Sequence, residues 1–68
     1  MRTMIKYLRQ ELKMSQKELG DKVGVTRQTI NALENGRYNP SIMLAYKIAK
    51  YFEMTIEDVF VFEEEEEA

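Results

Sequence analysis

Two amphipathic segments of this 68-residue chain are separated by only two residues, Gly24 and Val25. No other feature restricts the fold as much. Apolar residues recur at helical spacing on either side of that connection, Leu19 and Val23 before it, Ile30 and Leu33 after it. Two helices joined so tightly need a residue able to take positive φ at the turn, a missing side chain where they cross, and apolar anchors on the second helix. Gly24, Gly20 and Ile30 fill those roles. The starts are marked as well: Ser15-Gln16-Lys17-Glu18 has the spacing of a capping box, and Thr26 offers a hydroxyl to the first turn of the following segment.

The same spacing runs through Ile5, Leu8 and Leu12, through Leu44, Ala45, Ile48, Ala49 and Phe52, and through Ile56, Val59 and Phe60. Five short helices are expected, over roughly 3–13, 16–23, 27–35, 41–52 and 56–60. Gly36 supplies a left-handed residue after the third, Asn39-Pro40-Ser41 a cap and a fixed φ for the fourth, and Thr55-Ile56-Glu57-Asp58 a looser capping box for the fifth. Val59-Phe60-Val61-Phe62 breaks the period and, being β-branched and aromatic, suits a strand, for which Met1 to Met4 could supply the partner. The expected fold is all-α, a compact five-helix domain over residues 1–62 with a short C-terminal strand near the N-terminus. Residues 63–68 contain the run Glu63 to Glu67, which repels itself, has nothing to bury, and is expected to be a disordered acidic tail.

With no Cys and no His, disulfides, the common zinc sites, Cys–His pairs and the Ser–His–Asp triad are all excluded. Neither a catalytic site, a metal nor a cofactor is expected. The longest apolar run, Ile42 to Tyr46, falls far short of the about 20 residues of a membrane helix, and no signal segment follows Met1-Arg2-Thr3, so a cytoplasmic location is expected and no membrane partner. A domain this small buries only about 60% of its unfolded surface, which leaves association as the remaining supplement to its core. The formal charge of −2 hides an asymmetry: residues 1–62 carry ten Lys/Arg against seven Asp/Glu, so the body is +3 and the acidity sits at the end. A mildly basic body suits a polyanion.

Four segments, Met14-Ser-Gln-Lys-Glu-Leu-Gly, Val23-Gly-Val-Thr-Arg-Gln-Thr-Ile, Leu33-Glu-Asn-Gly-Arg-Tyr-Asn-Pro-Ser and Ile56-Glu-Asp-Val-Phe, resemble in order and spacing the phage repressor and Cro-like (Xre) helix-turn-helix family. The resemblance covers nearly all of residues 4–60, with the helix-turn-helix motif at 16–35. It implies a repressor-like DNA-binding domain that binds operator DNA as a dimer and regulates transcription. It also implies that Arg9 and Glu34 pair as a clamp between the first helix and the recognition helix, and that the loop of Asn35, Arg37, Tyr38 and Asn39 contacts the DNA backbone.

A helix in the major groove reads base edges with residues near its N-terminal end. Arg27, Gln28 and Asn31 occupy that end, opposite Ile30 and Leu33; Arg to guanine and Gln or Asn to adenine are the expected pairings, with Ala32 near enough for a thymine methyl. Ser15 and Gln16 lie at a helix N-terminus suited to phosphate, and Lys13 and Lys17 read more simply as surface lysines. For a homodimer, the expected interface is the C-terminal apolar cluster of Tyr51, Met54, Val59, Val61 and Phe62, with Phe60 reserved for the core. A sequence-specific repressor on a palindromic operator is the function expected. The alternative is an antitoxin-type interaction module whose acidic tail and last apolar segment hold a basic protein partner.

Overall fold

Four of the five helices begin at a hydroxyl side chain in the computed structural model, which describes residues 1–62; the acidic tail lies outside them. The order is β1 (Arg2–Thr3), α1 (Ile5–Glu11), α2 (Gln16–Val23), α3 (Arg27–Glu34), α4 (Ile42–Tyr51), α5 (Ile56–Val59) and β2 (Phe60–Val61). Ser15, Thr26, Ser41 and Thr55 each accept a hydrogen bond from the backbone N–H three residues on. The Ser15–Glu18 capping box forms, and Thr55–Asp58 is a complete box rather than a loose one, because Asp58 also accepts from the Thr55 N–H at 3.3 Å.

The two ends of the chain close on each other. β1 and β2 pair antiparallel, Arg2 opposite Val61 and Thr3 opposite Phe60, and the Met4 N–H donates to the Val59 carbonyl at 2.8 Å. Thr3 therefore belongs to a strand, and α1 starts later than its periodicity predicts, at Ile5 after an N-cap, Met4, with no side-chain cap. α1 is also short at its other end. Leu12 lies beyond its last helical turn and is 54% exposed, although the spacing placed it with Ile5 and Leu8.

One core holds these elements together. Ile5, Leu19, Ile30, Leu33, Ile48, Val59 and Phe60 are wholly buried, one or more from every helix and from β2, and each such side chain contributes roughly 1.5–3 kcal/mol of burial. The turn between α2 and α3 has the chemistry its glycines predict. Gly24 takes φ +83°, and a Cβ on Gly20 would stand 2.6 Å from the Val25 carbonyl oxygen, so only hydrogen fits at the crossing. Left-handed residues also follow α1 and α4, at Lys13 (φ 57°) and Glu53 (φ 58°), where no glycine marks them.

Candidate nucleic-acid interface

α3 stands on the surface because only one of its faces is apolar. Ile30 and Leu33 are wholly buried, while Arg27 and Gln28, in its first turn, are exposed and their side chains make no hydrogen bond or ion pair with the other described residues. Their donors and acceptors are free for a ligand. Thr26 is not, since its Oγ1 accepts from the Thr29 N–H at 3.2 Å and lies 3.1 Å from the Thr29 hydroxyl. Asn31 and Ala32, expected with Arg27 and Gln28 among the base-reading residues, are half-buried. The Ala32 carbonyl accepts from the Arg37 N–H at 2.9 Å, folding the loop after α3 back against the helix.

That loop carries Asn35, Arg37, Tyr38 and Asn39, all exposed on the described surface. Gly36 turns it with φ +71°. Asn35 Nδ2 donates to the Asn31 carbonyl at 3.0 Å and to Asn31 Oδ1 at 3.2 Å, and Arg37 Nη2 donates to the same Oδ1 at 3.3 Å. The polar residues on either side of the C-terminus of α3 thus form one connected group.

A second network fixes α3 against α1 and α2. Arg9 Nε and Nη2 donate to Glu34 Oε2 and Oε1 at 2.8 and 3.1 Å, Arg9 Nη1 donates to the Met14 carbonyl at 2.9 Å, and Gln16 Nε2 donates to Glu34 Oε1 at 3.0 Å. The ion-paired side chains are only 11% and 5% exposed. A planar fork meeting a carboxylate at two points restricts rotation as well as distance, so the pair sets the angle at which α3 is presented. Gln16, expected at a phosphate, turns its amide inward to this pair. Ser15 is occupied in the capping box, and Lys17 in an exposed ion pair with Asp21 at 3.0 Å.

α4 and α5 border a groove of about 900 Å³ whose lining includes the apolar Ile42, Tyr46, Met54, Ile56 and Phe62 and the charged Lys50, Glu53, Glu57 and Asp58. This changes the expected interface cluster. Val59 is wholly buried beside Phe60 and has no surface to offer a partner, because α5 turns its last residue inward before β2 begins. Tyr51 faces elsewhere, its hydroxyl 3.6 Å from Met14 Sδ and its ring at the edge of α1 and α2. Met54 and Phe62 remain, 41% and 62% exposed, with Val61 half-buried. Ile42 and Tyr46, absent from the sequence expectation, join them. Helical spacing left both off the inward stripe of Leu44, Ala45, Ile48, Ala49 and Phe52, but it gave no partner for the outward side of α4.

Residues 5–59 match the model of the helix-turn-helix family. The chain belongs to that family, in its phage repressor and Cro-like branch. Over 66 residues it is 58% identical to an HTH-type transcriptional regulator of Archaeoglobus fulgidus, covering 97% of this chain and 93% of the relative. Among solved structures it resembles the P22 c2 repressor bound to a synthetic operator, with a TM-score of 0.75 and 26% identity over 78% of this chain and 80% of that one. It also resembles part of hydroxypropylphosphonic acid epoxidase of S. wedmorenis, with a TM-score of 0.72 and 27% identity, 81% of this chain and 29% of the epoxidase. The chain spans less than a third of that enzyme. This protein is a helix-turn-helix transcriptional regulator by family, and among its described residues no helix is long and apolar enough to cross a membrane.

Proposed function

We propose that the protein is a sequence-specific repressor that binds a near-palindromic operator as a homodimer, with α3 in the major groove. The observation that carries this is the division of α3 into a wholly buried apolar face and a first turn where Arg27 and Gln28 carry unused hydrogen-bonding groups. Arg27 is assigned to guanine and Gln28 to adenine, with Asn31 and Ala32 on the adjoining part of the groove. The backbone N–H groups at the start of α2, beside Ser15 and Gln16, and the loop of Asn35, Arg37, Tyr38 and Asn39 flank the helix on both sides, as phosphate contacts that hold its register would. Likeness to an operator-bound repressor supports occupation of a promoter as the mode of action.

Pairing follows from specificity. One α3 reads too few base pairs to single out a site, and two related by a twofold axis reach half-sites about 34 Å apart. The α4–α5 groove is the surface assigned to that contact. It has both a protruding Phe62 and a hollow to receive one, and both Lys50 and the acidic Glu57 and Asp58, so a twofold operation sets unlike elements against each other. No residue of α3 borders it.

Selection from random duplex DNA with the full chain, combined with sedimentation, tests the whole reading. The expected result is an inverted repeat with half-sites one turn apart, bound by a species of twice the chain mass, and Arg27→Ala should erase one base preference. A logo left unchanged by Arg27→Ala removes α3 as the reader. A monomer in solution that pairs tightly with a basic protein through the acidic tail and the last apolar segment supports the antitoxin-type alternative.

A further inference from the structure

We infer that Asn31 reads its base as a hydrogen-bond donor only, and that Asn35 and Arg37 impose this polarity by occupying its carbonyl oxygen; the inference rests on α3 being the groove-reading helix. Asn31 Oδ1 accepts from Asn35 Nδ2 at 3.2 Å and from Arg37 Nη2 at 3.3 Å. Chemistry fixes which way the Asn31 amide faces. A guanidinium has donors and no acceptor, so the atom turned towards Arg37 is the oxygen. Asn35 agrees independently: the same Nδ2 donates to the Asn31 backbone carbonyl at 3.0 Å, which identifies it as nitrogen. An amide oxygen has two lone pairs, and both are engaged. Only the NH2 group of Asn31 is left for DNA.

An unencumbered asparagine pairs with adenine by accepting from N6–H and donating to N7. With its oxygen tied, Asn31 loses the accepting half of that pairing and would set donors against the adenine amino group. Guanine offers N7 and O6, two acceptors side by side, which the two hydrogens of one NH2 group can serve. The base assigned to Asn31 is therefore guanine, in place of the adenine that residue type alone suggests. The Arg37 guanidinium spends one of its N–H groups on Asn31 and makes no other hydrogen bond or ion pair with the described residues. It can hold a phosphate at the same time, which makes it a positioning residue for base reading as well as a backbone contact.

The test is selection from random duplex DNA with the full chain, as wild type, Asn31→Ala, Arg37→Met and Asn35→Ala/Arg37→Met, followed by titrations on duplexes differing at one base pair. Asn31→Ala should flatten preference at one position, where the wild type favours guanine over adenine by about fivefold or more. In the double variant the preference at that position alone should move to adenine, while affinity for all sequences falls together as the Arg37 phosphate contact is lost. Arg37→Met should move it part of the way, and Arg37→Lys, which restores a donor, should return it towards guanine. A residue that merely supported the fold would lower affinity without exchanging one base for another. Adenine favoured by the wild type at the Asn31-dependent position, or guanine retained in the double variant, overturns the inference and leaves α3 as the reader. A logo that Asn31→Ala leaves unaltered overturns the inference by removing Asn31 from the groove, and Arg27→Ala then decides whether α3 reads at all.

Discussion

Exchanging the Arg9–Glu34 pair for apolar side chains, one at a time and then together, separates what the pair does for stability from what it costs. Glu34 accepts three hydrogen bonds, two from Arg9 and one from Gln16, and both charged side chains are close to fully buried. Removing Glu34 alone strands a guanidinium whose one remaining partner is the Met14 carbonyl. Breaking a buried pair on one side costs about 3–5 kcal/mol. A body of 62 described residues has roughly 3–9 kcal/mol of stability in total, so Glu34→Met should leave the protein marginal or unfolded at 25 °C, and Arg9→Met nearly so. The double replacement removes both charges and both desolvation costs, and apolar substitutes for buried pairs are commonly neutral or stabilising. Arg9→Met/Glu34→Met should therefore lie within about 1–2 kcal/mol of the wild type, a coupling of at least about 3 kcal/mol between adjacent sites. Urea denaturation followed by circular dichroism, with a common slope across the four proteins, measures the cycle. Single variants that each lose less than about 1 kcal/mol, with an additive double, would place the pair among solvent-screened ion pairs and refute the argument from burial.

The other predictions concern backbone, charge and assembly. Gly20→Ala should destabilise by about 1–3 kcal/mol despite the better helix propensity of alanine, because its Cβ would press on a backbone carbonyl, whereas Gly24→Ala, with open space around it, should lose only the left-handed penalty of about 1 kcal/mol; thermal melts that rank them the other way would count against the crossing geometry. Glu53→Gly, at φ 58°, should gain about 0.5 kcal/mol, the relief of left-handed strain exceeding the added unfolded-state entropy, and a loss in urea titration would contradict it. Removing Glu63 to Glu67 shifts the formal charge from −2 to +3, so non-specific DNA binding should tighten at low salt and the gain should vanish at high salt; a gain that persists points to a specific contact. Phe62→Asp should place a charge in the α4–α5 groove and lower the sedimenting mass to that of one chain, and an unchanged dimer would send the contact elsewhere.

Helix starts were legible in the sequence and helix ends only in part, and the difference is physical. A cap at the start is made by the residue's own hydroxyl reaching the next turn, so Ser15, Thr26, Ser41 and Thr55 announce themselves. Four of the five ends use a left-handed residue, which glycine announces at Gly24 and Gly36 and which Lys13 and Glu53 supply without one. The Lys13 N–H donates to the Gln10 carbonyl and the Met14 N–H to that of Arg9; Glu53 and Met54 repeat the pattern on Lys50 and Ala49. Two backbone bonds close each of those ends, so the strain is offset where no residue type predicts it. The start of α1 was missed for the complementary reason: Met4 brings no cap, and it is strand pairing with the other end of the chain that places Thr3 outside the helix.

The candidate site divides along the same line between what a residue is and what it touches. Residue type and helical spacing were enough to name Arg27 and Gln28 as candidates, because a side chain that makes no hydrogen bond or ion pair keeps the chemistry written in the sequence. Gln16, Asn31 and Val59 were assigned by the same logic and read differently once their neighbours are known. Gln16 has a carboxylate to satisfy, Asn31 has lost its acceptor to two donors, and Val59 is sealed beside Phe60. An amide is both donor and acceptor until a neighbour takes one half. Since both donors that bind Asn31 come from the C-cap of α3 and the loop after it, the base chosen near the middle of the helix is set in part beyond its end, by Asn35 and Arg37. Relatives that keep Arg27, Gln28, Asn31 and Ala32 but change that loop should then differ in operator preference at a position where their reading residues do not differ.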